Sequence, residues 1–299
     1  MSNKVTVGVI GLGLIGGSYA KAFAKDENFR VLGMNRSHAV VEQAMADGVL
    51  DGELTRDNIE ECDLIIPALY NETIIRTVRE YAPYIRHDAY VIDAGGLKRE
   101  VCEACYKVAH EYGFTFVGGH PMAGKTYSGY KYSSSRLYND ASLILCPEFA
   151  DPTDTYVINM SRDISGEEHG DFYERMKELF RPCGFGRITV CSAATHDEMI
   201  AFTSELAHVV SSAYIKSPTA RNRKGFSAGS YKDMTRVAWL NEDMWTEIFM
   251  SNRDNLSTEI SYIIKSLQEY KAALDAGDAD EIWKLLHEGK MAKEQIDGR

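Results

Sequence analysis

The sequence carries no excess of positive charge, and this limits the partners it can have. Its 299 residues include 33 Lys and Arg against 44 Asp and Glu, so the formal net charge is −11. Because a nucleic-acid-binding surface needs clustered basic side chains, this balance argues against a nucleic-acid partner. An anionic small molecule is still compatible with the sequence, provided that a few cations lie close to it.

The chain also lacks a hydrophobic run long enough to span a membrane. The apolar segment 5–17 shows no small-residue cleavage site of the kind that follows a signal peptide. Six cysteines lie in apolar or helical contexts, which is typical of reduced thiols in a cytoplasmic protein. Cys102 and Cys105 form one CxxC without a second pair at ligand spacing, so we expect no metal site.

A glycine-rich turn follows the first apolar run of the chain. Residues 5–10 read as a buried strand, and a helix is predicted to begin near Tyr19. Between them, the first glycine permits a tight turn, the second lets a pyrophosphate approach the backbone, and the third lets the helix pack closely. The sequence therefore predicts a dinucleotide site formed by Gly11, Gly13, Leu14, Ile15 and Gly16.

The residues after the second predicted strand bear on which dinucleotide binds. This strand, 30–34, ends at Asn35, Arg36 and Ser37, where an NAD site would carry an acidic residue. A cation and small polar groups suit the 2′-phosphate of NADP, although an arginine here can also be a surface residue. We therefore favour NADP over NAD. We also expect Ala68 and Leu69, at the end of the predicted strand 63–69, to line the cofactor.

Strands alternate with helices up to about residue 192, which predicts a doubly wound, Rossmann-type α/β domain over 1–192. The polar segment 147–166 is expected to form a hinge, and a strand at 187–190 to extend the edge of the sheet. From residue 193 the sequence reads as helical, so 193–299 is assigned to an all-helical substrate and dimerisation domain.

Two features of the helical part are singled out. Thr195 is a candidate N-cap, followed by His196 and, twelve residues later, by His208. Taken alone, each histidine is more often a satisfied core or surface residue than a functional one. The amphipathic pattern over 241–274 predicts one long helix. We expect this helix to mediate a homodimer.

An ordered set of motifs identifies a family. It comprises Gly11–Ser18 (GLGLIGGS), Asp93–Lys98 (DAGGLK), Gly118–Gly124 (GGHPMAG) followed by Ser128-Gly129, the pair His196-Asp197 ahead of His208, and Asp233-x-x-Arg236 followed by Trp245. With this set the chain resembles the prephenate/arogenate dehydrogenases of tyrosine biosynthesis, in a short form without a regulatory domain. The resemblance spans nearly the whole chain.

The resemblance implies an oxidative decarboxylation of a small anionic substrate that uses NADP or NAD. It implies that His120 is the catalytic proton acceptor, that His208 is a second active-site histidine and that Arg236 binds a substrate carboxylate. Asp93 and Lys98 are then expected at the junction of cofactor and substrate. Further residues expected on the substrate side are Gly96, Lys125, Thr126 and Ser128.

The chain departs from the family pattern at several of these positions. Gly96 stands where the family often has a serine that bonds near the catalytic histidine, so that contact is missing or comes from Thr126, Ser128 or a water. Lys125 and Thr126 replace a small residue and an acid, and Lys125 either adds a cation or is solvated. These changes leave open which substrate is preferred.

Two other readings stay possible from the sequence. The first is a β-hydroxyacid dehydrogenase or imine reductase with the same two-domain plan, which would carry a lysine or aspartate on the interdomain helix. The second is a regulator that senses NADP without turnover, which would have no need of His120, His208 and Arg236 together.

Overall fold

The structure, a computed structural model, describes residues 4–125, 127–226 and 228–298. The chain divides into two compact units. The first runs up to Ile200 and also includes Trp239–Ile248, and the second comprises Ala201–Ala238 and the residues from Phe249 onward. This division differs from the expected boundary at residue 192, because the first helix after it stays with the first unit and a later segment returns to it.

A nine-stranded sheet forms the centre of the first unit, with the strand order β3-β2-β1-β4-β5-β6-β7-β9-β8. Strands β1 to β6 pair in parallel, as the predicted Rossmann-type fold requires, and that prediction is confirmed. The nine strands are β1 Val5–Ile10, β2 Phe29–Met34, β3 Gly52–Glu53, β4 Leu64–Pro67, β5 Tyr90–Ile92, β6 Thr115–Pro121, β7 Ser142–Cys146, β8 Tyr156–Asn159 and β9 Arg187–Val190.

The last three strands correct two predictions. Strand β9 lies between β7 and β8 instead of at the edge of the sheet. The edge is β8, which runs antiparallel to β9 and falls inside the segment 147–166 that was expected to be a hinge. Of its four residues only Ile158 is fully buried, so its exposed and polar neighbours give the strand little hydrophobic signal.

Helices cover both faces of this sheet, and alternate residues of the central strands belong to two separate hydrophobic cores. In β4, Leu64 and Ile66 join the cluster that contains Tyr19 and Phe180, whereas Ile65 joins the cluster that contains Val101. The helices of this unit are α1 Leu14–Phe23, α2 His38–Ala46, α3 Asn71–Tyr81, α4 Arg99–Tyr112, α5 Gly170–Phe180 and α6 Ala193–Ile200.

The start of α6 differs from the expectation. The helix begins at Ala193, and the hydroxyl of Ser192 accepts a hydrogen bond from the backbone N–H of Thr195 at 3.1 Å. Ser192 is therefore the N-cap, and the assignment of Thr195 to that position was wrong. The hydroxyl of Thr195 instead lies 3.1 Å from the carbonyl oxygen of Pro152.

The second unit is helical, as predicted. A π-helical turn, Ala201–Leu206, leads into α7 Ala207–Ile215, and the remaining helices are α8 Gly229–Thr235, α9 Glu242–Ser251, α10 Arg253–Ala276 and α11 Ala279–Asp297. Helix α9 spans the division between the two units. None of the helices in the described ranges is long and apolar enough to cross a membrane.

The single helix predicted over 241–274 is interrupted, so this prediction was wrong in part. Helix α9 ends at Ser251 and α10 begins at Arg253. The residue between them, Asn252, is fully buried, and its side-chain amide donates to the carboxylate of Glu205 at 3.1 Å. The hydrophobic periodicity continues across this break, which explains why the pattern alone did not reveal it.

Candidate active site

The glycine-rich turn has the shape that a dinucleotide requires. Gly11 adopts a φ of +94°, a backbone conformation that favours glycine. A Cβ atom added at Gly16 would lie 1.9 Å from the carbonyl oxygen of Gly11, so helix α1 can approach the strand only with glycine there. At Gly13, by contrast, an added Cβ would meet no described atom within 4 Å, which leaves the backbone open to a phosphate.

Helix α1 presents its N-terminus at this opening. Gly13 occupies the N-cap position and provides no side-chain cap, so the first N–H groups, including those of Leu14 and Ile15, are available to an anion. The residues after β4 complete the loop: an added Cβ at Gly11 would lie 2.7 Å from the carbonyl oxygen of Ala68 and 2.7 Å from the side chain of Leu69. The expected cofactor residues that follow β1 and β4 therefore lie together, and their arrangement fits the pyrophosphate of a dinucleotide.

Asn35 connects the end of β2 to the glycine turn. Its side-chain oxygen accepts a hydrogen bond from the backbone N–H of Leu12 at 3.0 Å, and its amide donates to the carbonyl of Ser37 at 3.2 Å. Arg36 and Ser37 are exposed on the rim next to it. The rim thus offers one exposed cation and small polar groups where an acid would select NAD.

Asp93, which directly follows β5, and Lys98 form a completely buried ion pair. The Asp93 carboxylate also accepts the backbone N–H groups of Gly95 at 2.8 Å and Gly119 at 2.9 Å, which ties the end of β5 to β6. Both residues were expected at the junction of cofactor and substrate, and that role stays a prediction. In this structure the bonding of the two buried side chains goes to the scaffold that carries His120.

His120 lies within β6, next to its end. It pairs with Ile144 of the antiparallel strand β7, so its backbone is held on that side. A Cβ atom added at the preceding residue, Gly119, would lie 2.2 Å from the carbonyl oxygen of Asp93, so glycine is needed for β6 to approach β5 this closely. The side chain of His120 is partly exposed and lies at the carboxyl edge of the parallel strands, where such folds bind ligands.

A chain of hydrogen bonds runs inward from His120. Its Nδ1 lies 2.9 Å from Nε2 of His196, and Nδ1 of His196 lies 2.7 Å from Oδ1 of Asp197. His196 and Asp197 are each 1% exposed. The sequence brought His196 and Asp197 forward only as part of a motif and assigned no role to either residue. The structure places both directly behind the expected catalytic base.

Asp197 is held at the N-terminus of α4. Its two oxygens accept the backbone N–H groups of Lys98 at 2.7 Å and of Arg99 at 2.9 Å, and Nε of Arg99 lies 3.4 Å away. The helix dipole that stabilises the charge of Asp197 is therefore that of α4. These bonds, together with the bond to His196, keep the pKa of Asp197 below its ordinary value despite its burial.

The surroundings of both histidines disfavour the charged form. Burial lowers the pKa of His120 well below its ordinary value, and a positive charge on His196 or on Lys98 acts in the same direction. Burial also lowers the pKa of His196, although Asp197 opposes the shift. At neutral pH the pair is therefore uncharged, which is the state that a proton acceptor requires.

The expected substrate residues of the first unit are only partly explained. A Cβ atom added at Gly96 would meet a single described atom, Cδ1 of Ile248, at 4.0 Å. The position therefore has room for the serine that the family often carries there. Lys125 is exposed and donates to the carbonyl of Tyr132 at 3.1 Å, and Ser128 is exposed as well. Thr126 lies outside the described residues.

The remaining two expected site residues belong to the second unit. Nδ1 of His208 donates to the carbonyl of Ser204 at 2.8 Å, just after the π-helical turn. Burial lowers the pKa of His208; the Ser204 carbonyl opposes this shift, and the positive charge of Arg236 adds to it. His208 and Arg236 are therefore close enough to interact electrostatically, and Arg236 itself is exposed.

Comparison with known proteins identifies the family. A family model described as "Prephenate dehydrogenase, nucleotide-binding domain" matches residues 19–173, and one described as "Prephenate dehydrogenase, dimerization domain" matches residues 192–288. The chain belongs to the prephenate dehydrogenase family. The resemblance stated from the sequence motifs is thereby confirmed.

The curated relatives of this prephenate dehydrogenase family member agree with the match. A prephenate dehydrogenase of Bacillus subtilis is 26% identical over 304 residues, covering 99% of this chain and 76% of the relative. A cyclohexadienyl dehydrogenase of Zymomonas mobilis is 26% identical over 300 residues, covering 96% of this chain and 94% of the relative. The similarity extends over nearly the whole chain in both cases.

Solved structures of the family share the fold. An Aquifex aeolicus prephenate dehydrogenase, in complex with hydroxyphenyl propionate and NAD⁺, has a TM-score of 0.76 at 25% identity, covering 98% of this chain and 99% of the other. A Synechocystis arogenate dehydrogenase has a TM-score of 0.78 at 22% identity, covering 98% and 100%. The architecture of the prephenate dehydrogenase family is therefore preserved here.

Proposed function

We propose that this protein catalyses the NAD(P)-dependent oxidative decarboxylation of prephenate or arogenate in tyrosine biosynthesis. The observation that carries the proposal is the geometry of His120. Its Nδ1 is engaged by His196, so Nε2 is the nitrogen left to face a substrate, and burial keeps the ring neutral. Its strand ends at the same edge of the sheet as the glycine-rich turn.

In the proposed reaction, Nε2 of His120 accepts the proton of the ring hydroxyl as that oxygen becomes a carbonyl. A bound nicotinamide supplies the hydride acceptor for the ring carbon that bears the hydroxyl. The carbon–carbon bond to the ring carboxylate then breaks, carbon dioxide leaves, and the electron pair makes the ring aromatic. The phenol oxygen recovers a proton from His120, which restores the neutral base.

We assign the recognition of substrate to residues of the second unit. The guanidinium of Arg236 is suited to a carboxylate because it can donate two parallel hydrogen bonds. His208 is proposed as a second histidine that contacts substrate, with its Nδ1 committed to Ser204. Two observations support these roles: the family resemblance, and the exposure of Arg236.

For the cofactor we propose NADP in preference to NAD. Gly11, Gly13, Leu14, Ile15 and Gly16 would hold the pyrophosphate, and Asn35, Arg36 and Ser37 would surround the 2′-phosphate. In support, Asn35, Arg36 and Ser37, which follow β2 directly, include a cation and no acid.

We further propose that residues 1–192 serve cofactor binding and that residues 193–299 serve substrate binding and dimerisation. We also propose that the protein is a cytoplasmic homodimer.

The test is direct. Purified protein is incubated with prephenate or arogenate and with NADP⁺ or NAD⁺, and the absorbance of the reduced nicotinamide is followed. Turnover with at least one pair, fastest with NADP⁺, is the expected result. Absence of turnover with all four pairs would remove the assignment. Reduction driven instead by a β-hydroxyacid would favour the hydroxyacid dehydrogenase reading, which the family match does not support.

A further inference from the structure

The hydrogen-bond chain behind His120 has a defined direction. Asp197 is an acceptor, so the Nδ1 of His196 that lies 2.7 Å from it carries the proton. Nε2 of neutral His196 is then an acceptor, and the Nδ1 of His120 at 2.9 Å must be the donor to it. Nε2 of His120 is consequently unprotonated. One tautomer of each ring follows from the fixed position of one carboxylate.

The carboxylate at the end of this chain is held as an anion. The N-terminus of α4 supplies two backbone N–H donors to Asp197, and Arg99 lies beside it. A carboxylate with these partners is a poor proton acceptor, so a proton taken up by His120 stays on the two histidines. The other charges near the pair, Lys98 and Asp93, form a buried ion pair, and the positive charge of Lys98 disfavours a proton on His120.

We propose that His196 is a positioning residue for the reaction, which together with Asp197 fixes His120 in the tautomer whose Nε2 is the base. This inference rests on the proposed function and adds a residue to it. At 1% exposed, His196 has almost no surface with which to touch a substrate, so its influence passes through His120. It supplies from α6 the orienting contact that Gly96 cannot provide in this chain.

Two substitutions separate orientation from structure. The side-chain oxygen of His196→Gln can still accept a hydrogen bond from Nδ1 of His120, whereas His196→Ala offers no acceptor and opens space to water. We expect His196→Ala to lower kcat by about 10- to 100-fold with little change in KM, and His196→Gln to lose less than about 5-fold. Cys105→Ala, which truncates another fully buried side chain of the first unit, is the matched control.

The shape of the pH profile distinguishes the roles further. Burial is the largest cause of the lowered pKa of His120, and His196→Ala admits water beside the ring and so weakens that cause. The acidic limb of kcat is expected to move to higher pH in His196→Ala and to stay in place in Cys105→Ala. If His196 only stabilised the fold, His196→Ala would lower Tm while the remaining activity kept its original pH profile.

The deciding measurement does not depend on turnover. Histidine-selective ¹⁵N NMR of the full chain, with resonances assigned by single variants among the eight histidines, reports which ring nitrogen carries the proton. We expect Nδ1–H for both His120 and His196, and loss of the single His120 tautomer in His196→Ala. An Nε2–H tautomer of His120 in the unmodified protein would overturn the inference. Failure of the proposed function would instead appear as absence of turnover with a normal NMR result.

Discussion

The ionisation of His120 links the buried hydrogen-bond chain to a measurable rate. The base acts only when it is neutral, and its pKa lies well below the ordinary value of 6.5, mainly because of burial and also because of the positive charge of Lys98. Activity is therefore fully present above pH 6.5 and is lost as the pH falls through the lowered pKa. We predict that kcat/KM is constant from about pH 6.5 to 8 and declines only below that range.

This prediction is checked by the pH dependence of kcat/KM at saturating cofactor, in buffers of constant ionic strength. Because His120 and His196 share a hydrogen bond, the acidic limb belongs to the pair rather than to one ring. An acidic limb centred at or above pH 6.5 would contradict the neutral, buried base.

A second prediction at this scale concerns Arg36, the exposed cation after β2. Arg36→Asp places a carboxylate where it can accept hydrogen bonds from the ribose hydroxyls of NAD and repel the 2′-phosphate of NADP. The ratio of kcat/KM for NADP⁺ to that for NAD⁺ is expected to fall by about 10- to 100-fold, equivalent to about 1.4 to 2.8 kcal/mol. Arg30→Asp, in the same strand region, is the control. An unchanged ratio in Arg36→Asp would show that other residues select the cofactor.

At the scale of single elements, the strand–turn–helix unit Val5–Phe23 separates binding from stability. Gly13 has open space for a Cβ, whereas a Cβ at Gly16 would lie 1.9 Å from a backbone oxygen. Gly13→Ala is thus predicted to leave Tm nearly unchanged and to weaken cofactor binding by about 10-fold or more. Gly16→Ala should lower the free energy of unfolding by about 1–3 kcal/mol.

Thermal unfolding and fluorescence titration with the reduced cofactor check this pair of variants side by side. The two glycines are three residues apart, so the comparison holds the local sequence nearly constant. Equal cofactor affinity in Gly13→Ala and in the unmodified protein would contradict the placement of the pyrophosphate at this turn.

Features encoded by neighbouring residues could be predicted from the sequence, and contacts between distant residues could not. The glycine turn was found because its signal is local: strand, glycines and helix follow each other within residues 5–23. His196 was not assigned a role because its partner His120 is 76 positions away and only folding brings them together. The same reason hid the break at Asn252, whose side chain is bound by Glu205, 47 positions earlier.

The sequence also did not reveal which side chains are buried and which are exposed. Strand β8 was missed because an edge strand with one buried side chain carries almost no alternation. Asp93 and Lys98 were assigned to the cofactor from their place in a motif, but their burial becomes visible only when β5 and β6 are paired. Motifs located the strand ends correctly, and packing decided which side chains face outward.

At the scale of the whole molecule, the second unit exposes large apolar side chains. Leu267 and Leu274 of α10 are 61% and 67% exposed, and Trp283 of α11 is 63% exposed. The family model over residues 192–288 is that of a dimerisation domain. We propose that a second copy of the chain covers these exposed apolar side chains.

We predict that Leu267→Glu weakens this association by about 10-fold or more, because a buried interface would have to enclose an unpaired carboxylate. Sedimentation equilibrium at micromolar concentration measures the dimer fraction directly. Met45→Glu, an exposed apolar position of α2 in the first unit, is the matched control and should remain dimeric. A monomeric unmodified protein would contradict the homodimer.

Carbon dioxide release and cofactor reduction, measured together, show whether His120 drives an oxidative decarboxylation. Released carbon dioxide and reduced nicotinamide are measured in the same reaction for the unmodified protein and for His120→Asn. The expected result is one carbon dioxide per reduced cofactor, with kcat lowered by a factor on the order of 10²–10⁴ in the variant while cofactor affinity stays normal. Reduced cofactor without carbon dioxide, or equal turnover by His120→Asn, would contradict the account.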